Sequence, residues 1–379
     1  MNLFQVYPLF NINPVKAEGS FLWDENGQKY LDFYGGHAVI SIGHNHPHYH
    51  SKLKIQLEKI SFYSNSVQNN LQTELAEKLG KISGYENFSL FLCNSGAEAN
   101  ENALKLASFH NGKKKVIYFS GSFHGRTSAA VSVTDNPKIV APINFSERFI
   151  KCEWNNVAQL KQLFNEHQNK ISAVIIEGIQ GVGGINFPTK EMMILLKNLC
   201  AENETILIID EVQSGYGRSG KFFAHQEFDI QPDLITVAKG MGNGFPIGGV
   251  LISPKFKTSY GLFGTTFGGN HLACAAGIAV LEVIKNENLI ENSEKMGAYI
   301  QTKIQNFHHI KSIRRRGLMI GIELDQHCTE IRSKLLTEHH VFTGNSNDTN
   351  VLRILPALNI TEKEADLFIE ALESVLQNN

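Results

Sequence analysis

Lys239 closes an apolar run, DLITVAK, and Gly240, Gly242 and Gly244 follow it at once. A lysine at the buried end of a strand has its ammonium form disfavoured, which suits imine formation with an aldehyde, although most lysines reach out to solvent. Asp210 stands 29 residues earlier and, with Glu211, follows four apolar residues in ILIIDE. A carboxylate at the tip of a buried strand is costly unless it meets a cation or hydrogen-bond donors. Three further strand ends carry chemistry. In CNSGAEANE, Ser95 can cap a helix with Glu98 three residues on, as in a capping box. Gly96 and Ala97 add no bulk there, so the N–H groups at the positive helix end stay open to a phosphate. In FSGSFHGRT, Phe123 can stack on a flat ring, His124 sits between glycines, and Arg126 can fork onto a carboxylate. In VIIEGIQGVGGI the apolar run stops at Glu177, and Gly178, Gly181, Gly183 and Gly184 follow.

Taken singly, the first of these three is an ordinary capped helix and the others are ordinary loops. Together, a phosphate cradle, an aromatic stacker, an acid and an imine-forming lysine are what pyridoxal phosphate requires. The acid pairs with the ring nitrogen and the lysine holds the aldehyde carbon. No GxxxxGK[ST] loop occurs in the chain, and no GxGxxG opens its first βα unit, so neither a triphosphatase nor a dinucleotide-dependent dehydrogenase is expected.

Strand ends need strands to position them. FSLFLC (88–93), KKVIYFS (114–120), AVIIEG (173–178), TILIIDE (205–211) and DLITVAK (233–239) read as buried strands. They alternate with helical stretches at 97–110 and 190–203, which predicts an α/β fold with a mostly parallel sheet covered on both faces. A long amphipathic helix is expected near 272–306, a strand at GLMIGIEL (317–324) and a closing helix at 361–376 capped by Thr361. At 379 residues two domains are expected, and 42% hydrophobic with 19% charged residues fits a substantial core. A net charge of −2 gives no reason to expect nucleic acid or an anionic membrane as partner. The N-terminus does not read as a signal peptide, and the five scattered cysteines read as free thiols in a cytoplasmic protein.

NSGAEANE, SFHGRT, IDEVQSGYGRSG, AKGMGNGFPIGG and GTTFGGNHLACAAG, in this order and spacing, resemble the class III aminotransferases of fold type I. Within these, the pattern is most similar to acetylornithine aminotransferases, over nearly the whole chain. The resemblance implies a large cofactor-binding domain at 51–289 and a smaller α+β domain from 1–50 plus 290–379. It makes Lys239 the cofactor lysine and Asp210 the partner of the ring nitrogen. Phe123 and Val212 would cover the two ring faces, Gln213 would meet the ring hydroxyl, and Ser95, Gly96 and Ala97 would hold the phosphate. His124 and Glu177 are expected beside the cofactor. Thr266 would complete the phosphate site of a neighbouring subunit, which implies a homodimer. Arg126, Thr265 and Arg353 would bind the substrate, Arg353 taking the α-carboxylate of glutamate. The implied reaction moves the δ-amino group between an N2-acylornithine and 2-oxoglutarate in arginine biosynthesis; ornithine, γ-aminobutyrate or an acyl-lysine are the alternative amine donors.

Two positions depart from the family pattern. Val182 stands where relatives carry the glutamate that pairs with the arginine matching Arg353, and His37 replaces an aliphatic residue or tyrosine. A histidine there can hydrogen-bond to, or carry charge towards, a carboxylate on the acyl group. The two changes point to N2-succinylornithine, with N2-acetylornithine its rival. His44, His46, His48 and His50 alternate in GHNHPHYHS, yet they read as a structural turn, with no metal expected. RRRG (314–317) is expected to be a solvated turn.

Overall fold

The computed structural model describes residues 1–377. The chain opens with β1 (Pro14–Glu18), β2 (Phe21–Asp24) and β3 (Lys29–Asp32), then a short irregular turn α1 (Gly35–Ala38). Helices α2 (Pro47–Leu57) and α3 (Asn70–Ser83) lead to β4 (Ser89–Cys93), α4 (Gly96–Asn111), β5 (Lys115–Phe119) and α5 (Ser128–Ser132). Next come β6 (Phe149–Cys152), α6 (Val157–Glu166), β7 (Ile171–Glu177), α7 (Lys190–Glu202), β8 (Ile206–Asp210), β9 (Leu234–Val237) and β10 (Gly248–Ile252). The remainder is α8 (His271–Asn286), α9 (Leu289–Ile304), β11 (Ile310–Arg316), β12 (Met319–Leu324), α10 (Cys328–Thr337), β13 (Val341–Phe342), β14 (Val351–Ile354) and α11 (Glu362–Gln377).

Seven strands form the central sheet in the order β4-β10-β9-β8-β7-β5-β6. Only β10 runs against the rest, since it is antiparallel to both β4 and β9. The carboxyl ends of β4, β5, β7, β8 and β9 therefore share one edge. All seven residues of β7 are buried, because the sheet is covered on both faces. Val174, Ile176, Leu207 and Ile209 pack with Leu160, Phe164, Met192 and Leu196 of α6 and α7. Ala173, Ile175, Ile206 and Ile208 pack with Ala99, Ala103 and Ala107 of α4. Each such isoleucine contributes about 1.5–3 kcal/mol of burial, so the edge is presented by a rigid slab.

Two smaller sheets complete the molecule: β1-β2-β3-β13, in which β13 pairs parallel to β3, and β11-β12-β14. The segment expected as one helix at 272–306 is two, because Asn288 takes a left-handed conformation (φ 52°) between α8 and α9. Asparagine tolerates that conformation better than most side chains. RRRG is not a solvated turn. Its arginines end β11, where Arg315 is bidentate on Glu294 (2.9 and 2.8 Å) and Arg316 lies over Phe187 and Phe228. The alternating histidines diverge to separate carboxylates, His44 to Asp32, His46 to Glu287 and His48 to Glu282. Among the described residues no helix is long and apolar enough to cross a membrane.

Candidate active site

Parallel pairing puts Glu177 opposite Asp210, and Asp210 opposite Thr236, at the carboxyl ends of β7, β8 and β9. Lys239 follows three residues after Thr236, in a 3-10 turn with φ +46°. A non-glycine residue there is held against a backbone cost, which the packed surroundings impose. Burial lowers the Lys239 pKa, and Arg353 adds to this while Asp210 and Glu177 oppose it. The amine is thus more readily available as a nucleophile than a surface lysine.

Asp210 is buried and held by three donors. Asn100 Nδ2 and His124 Nδ1 each lie 2.7 Å from Oδ2, and the Val212 amide donates to Oδ1 at 2.9 Å. Asn100 also donates to the His124 carbonyl (2.7 Å) and accepts from Thr236 Oγ1 (2.7 Å). Asn100 and Thr236 were not among the residues expected from sequence. The available signal was a polar residue inside a quoted motif, one helical turn past Gly96 and on the face that α4 turns to the sheet. Glu177 accepts from the Phe123 amide (3.1 Å) and the Gly181 amide (2.9 Å). Burial pushes its pKa up to about 7; Asp210 adds to this, while His124 and the two amides oppose it.

Ser95 caps α4, its Oγ accepting from the Glu98 amide at 3.2 Å. Glu98 reaches back to the Asn94 amide (2.8 Å), one residue earlier than in a standard capping box. A Cβ on Gly96 would lie 2.7 Å from Val212 Cγ1, so the start of the helix is pressed against the wall that carries Val212. Ser95, Gly96, Phe123, Asp210, Val212 and Lys239 line one cavity of about 410 Å³, which also takes in Arg126, Glu177, Val182 and Gln213.

Ala97 and His124 line that cavity too, whereas His37, Thr265, Thr266 and Arg353 stand outside its wall. Buried Arg353 donates through its Nε to the Asn345 carbonyl and through Nη1 to Gln213 Oε1 (3.3 Å), and it makes no ion pair among the described residues. Burial lowers its pKa, opposed by Tyr34 and Glu177. Gln213 also donates to the His37 carbonyl (3.1 Å), so it bridges His37 and Arg353. His37 (φ 69°) is hydrogen-bonded through Nδ1 to the Tyr34 hydroxyl. Its burial, together with the Arg353, Lys239, Arg332 and Arg126 cations, lowers its pKa to about 4. Of the two roles expected of it, hydrogen-bonding to a carboxylate and carrying charge towards one, this shift favours the first. Val182 takes the Asn347 amide on its carbonyl (2.8 Å) and supplies no acid. Thr265 accepts from Asn94 Nδ2 (3.1 Å), and exposed Thr266 does not line the cavity of its own chain. Behind the site, buried Arg218 donates to the carbonyls of Pro356 (2.7 Å) and Leu318 (3.4 Å), and burial pushes its pKa down to about 10.

A six-stranded parallel set with a lysine, an acid and a helix start converging on one edge defines a cofactor-dependent transferase. The chain belongs to the class III aminotransferases, whose family model matches residues 5–376. It is 39% identical to the acetylornithine aminotransferase of Archaeoglobus fulgidus, covering 98% of this chain and 97% of that protein. It is 38% identical to that of Bacillus subtilis, covering 100% and 98%. The crystal structure of the ornithine aminotransferase from Toxoplasma gondii superposes with a TM-score of 0.91 at 28% identity, covering 99% of this chain and 92% of that one. Class III aminotransferases use pyridoxal phosphate and exchange amino groups between amino acids and keto acids. The site fits that cofactor: the Gly96 cradle has no room for a Cβ, Asp210 is fixed by three donors, and Lys239 opens onto the same cavity.

Proposed function

We infer that this chain moves the δ-amino group between an N2-acylornithine, succinyl in preference to acetyl, and 2-oxoglutarate, and that it runs towards acylornithine in arginine biosynthesis. The full-length likeness to acetylornithine aminotransferases supports the ornithine part. The observation that carries the reading is that Arg353, joined to the cofactor edge through Gln213, is a buried cation with no acidic partner, Val182 standing where a glutamate could have met it. It stays available to anionic substrates.

Pyridoxal phosphate supplies an aldehyde carbon for the amine and a ring that accepts electrons. Lys239 would hold that aldehyde carbon, and its amine, when free, would take up and return the proton at the substrate's δ-carbon. Asp210 would keep the ring nitrogen protonated, oriented by His124 and Asn100. The Ser95, Gly96 and Ala97 amides would bind the phosphate at the start of α4. Phe123 and Val212 would cover the ring, Gln213 would meet its hydroxyl, and Glu177 would fix the Phe123 loop. Arg126, with Thr265, would grip the substrate carboxylate. Thr266 of a second copy would close the phosphate site, making the working unit a homodimer. Five buried, free cysteines suit a cytoplasmic setting.

The test is a single half-reaction with holoenzyme and no keto acid, following loss of the cofactor's colour with N2-succinylornithine, N2-acetylornithine and ornithine. The expected order is succinyl, then acetyl, with ornithine slow; fastest reaction with free ornithine overturns the reading. Lys239→Ala abolishes both the colour change and turnover while the fold is retained.

A further inference from the structure

One cation near the substrate end has no assigned role. Arg332 lies on α10, partly buried, and its Nε donates to the Thr343 carbonyl (3.0 Å). Its guanidinium makes no ion pair among the described residues, whereas Glu330 and Lys334 of the same helix pair with each other. The residue after Thr343 ties Arg332 to the site. Gly344 exchanges two backbone hydrogen bonds with Arg353 (2.9 and 2.8 Å), and a Cβ on it would meet the Tyr34 ring at 2.5 Å. Tyr34 in turn bonds His37, and His37 is linked through Gln213 back to Arg353. Arg332 thus stands close enough to Arg353, Tyr34 and His37 to act on all three electrostatically, beside the cavity rather than in its lining. On the outside, the Phe10 ring lies 5.2 Å from the Arg332 guanidinium carbon. Arg332 and Arg353 are the permanent positive charges of this region.

We propose that Arg332 is a specificity-determining residue that binds a carboxylate at the far end of the N-acyl group, with Phe10 covering the pair; this rests on the N2-acylornithine reading. A guanidinium with free donors forks onto a carboxylate, and the cover of an aromatic ring strengthens the pairing by excluding water. An acetyl group ends in a methyl and offers Arg332 nothing to bind. A diacid monoamide such as the succinyl group carries the missing anion, and the hydrogen-bonded Tyr34–His37 pair has one donor left to offer it.

The test compares kcat and KM for N2-succinylornithine and N2-acetylornithine in the wild-type holoenzyme, Arg332→Gln and Arg332→Lys. The expected result is a wild type that favours the succinyl compound, and a Gln variant that loses at least about tenfold in kcat/KM on it, through KM, with acetyl turnover within about twofold. The Lys variant keeps the charge and loses less, so it carries the test if the Gln variant does not fold. Equal loss on both compounds, or no loss on the succinyl compound, overturns the role of Arg332 and leaves the N2-acylornithine reading intact. A wild type that turns over neither compound overturns both.

Discussion

At the scale of single residues, the site depends on side chains that hold its polar groups in place. Asn100 is 1% exposed and satisfies Asp210, the His124 carbonyl and Thr236 at once. Asn100→Ala leaves those groups short of partners at a cost of about 1–3 kcal/mol. Cofactor affinity, measured by titrating cofactor-free protein with pyridoxal phosphate, is expected to fall about tenfold or more while circular dichroism shows the fold retained; unchanged affinity contradicts this. The convergence of Lys239, Asp210 and Ser95 on one cavity was legible, because each is a polar group at or just past the end of an apolar run. Asn100 and Arg332 were not, because each sits inside a helix, and only the packing of that helix shows what the side chain faces. His37 was legible as a departure from relatives, but its lowered pKa was not, since that depends on desolvation and on cations distant in sequence.

Secondary-structure elements place these residues by close approach. The first turn of α4 lies against Val212, whose amide is fixed to Asp210 at 2.9 Å, so the wall has little freedom to retreat. Gly96→Ala therefore pushes the phosphate cradle away from the ring, costing about 1–3 kcal/mol. The expected outcome is a cofactor dissociation constant raised about tenfold or more with helix content unchanged, read by the same titration. The five central strands could be read from their apolar runs, because strands buried on both faces have no alternation to confuse. The break between α8 and α9 could not, because hydrophobic spacing continues across it and a single left-handed Asn288 makes the turn. The arginine run at 314–316 misled for the opposite reason: charge suggests solvent, but its partners come from α9 and β12.

Across the whole molecule, the chain ends meet. Strand β13 pairs with β3, and β14 brings Arg353 to the edge built by the middle of the chain. We propose on this basis that residues 1–50 and 290–379 form one discontinuous domain. Stability of the assembled, cofactor-free protein should carry the mark of Glu177. Its pKa is raised in the folded state to about 7 from an ordinary value of 4.5, so the folded protein holds the proton more tightly than the unfolded chain. The associated stability is fully present below about pH 4.5 and is lost as pH rises through about 7, roughly 3 kcal/mol in all. Urea unfolding at pH 5 and pH 8 measures it, and Glu177→Gln is expected to flatten that difference; an equally steep difference in the variant rules Glu177 out as its source.

Arg218 has a mechanical consequence. It belongs to the loop that leaves Asp210, yet its donors clasp the Leu318 and Pro356 carbonyls, on either side of the strand pair that carries Arg353. A buried guanidinium cannot let go of those carbonyls without an uncompensated desolvation cost. The loop and the strand pair are riveted, so Arg353 and the loop that leaves Asp210 are held as one rigid unit. The spacing between Arg353 and the loop that leaves Asp210 is thereby set by the fold.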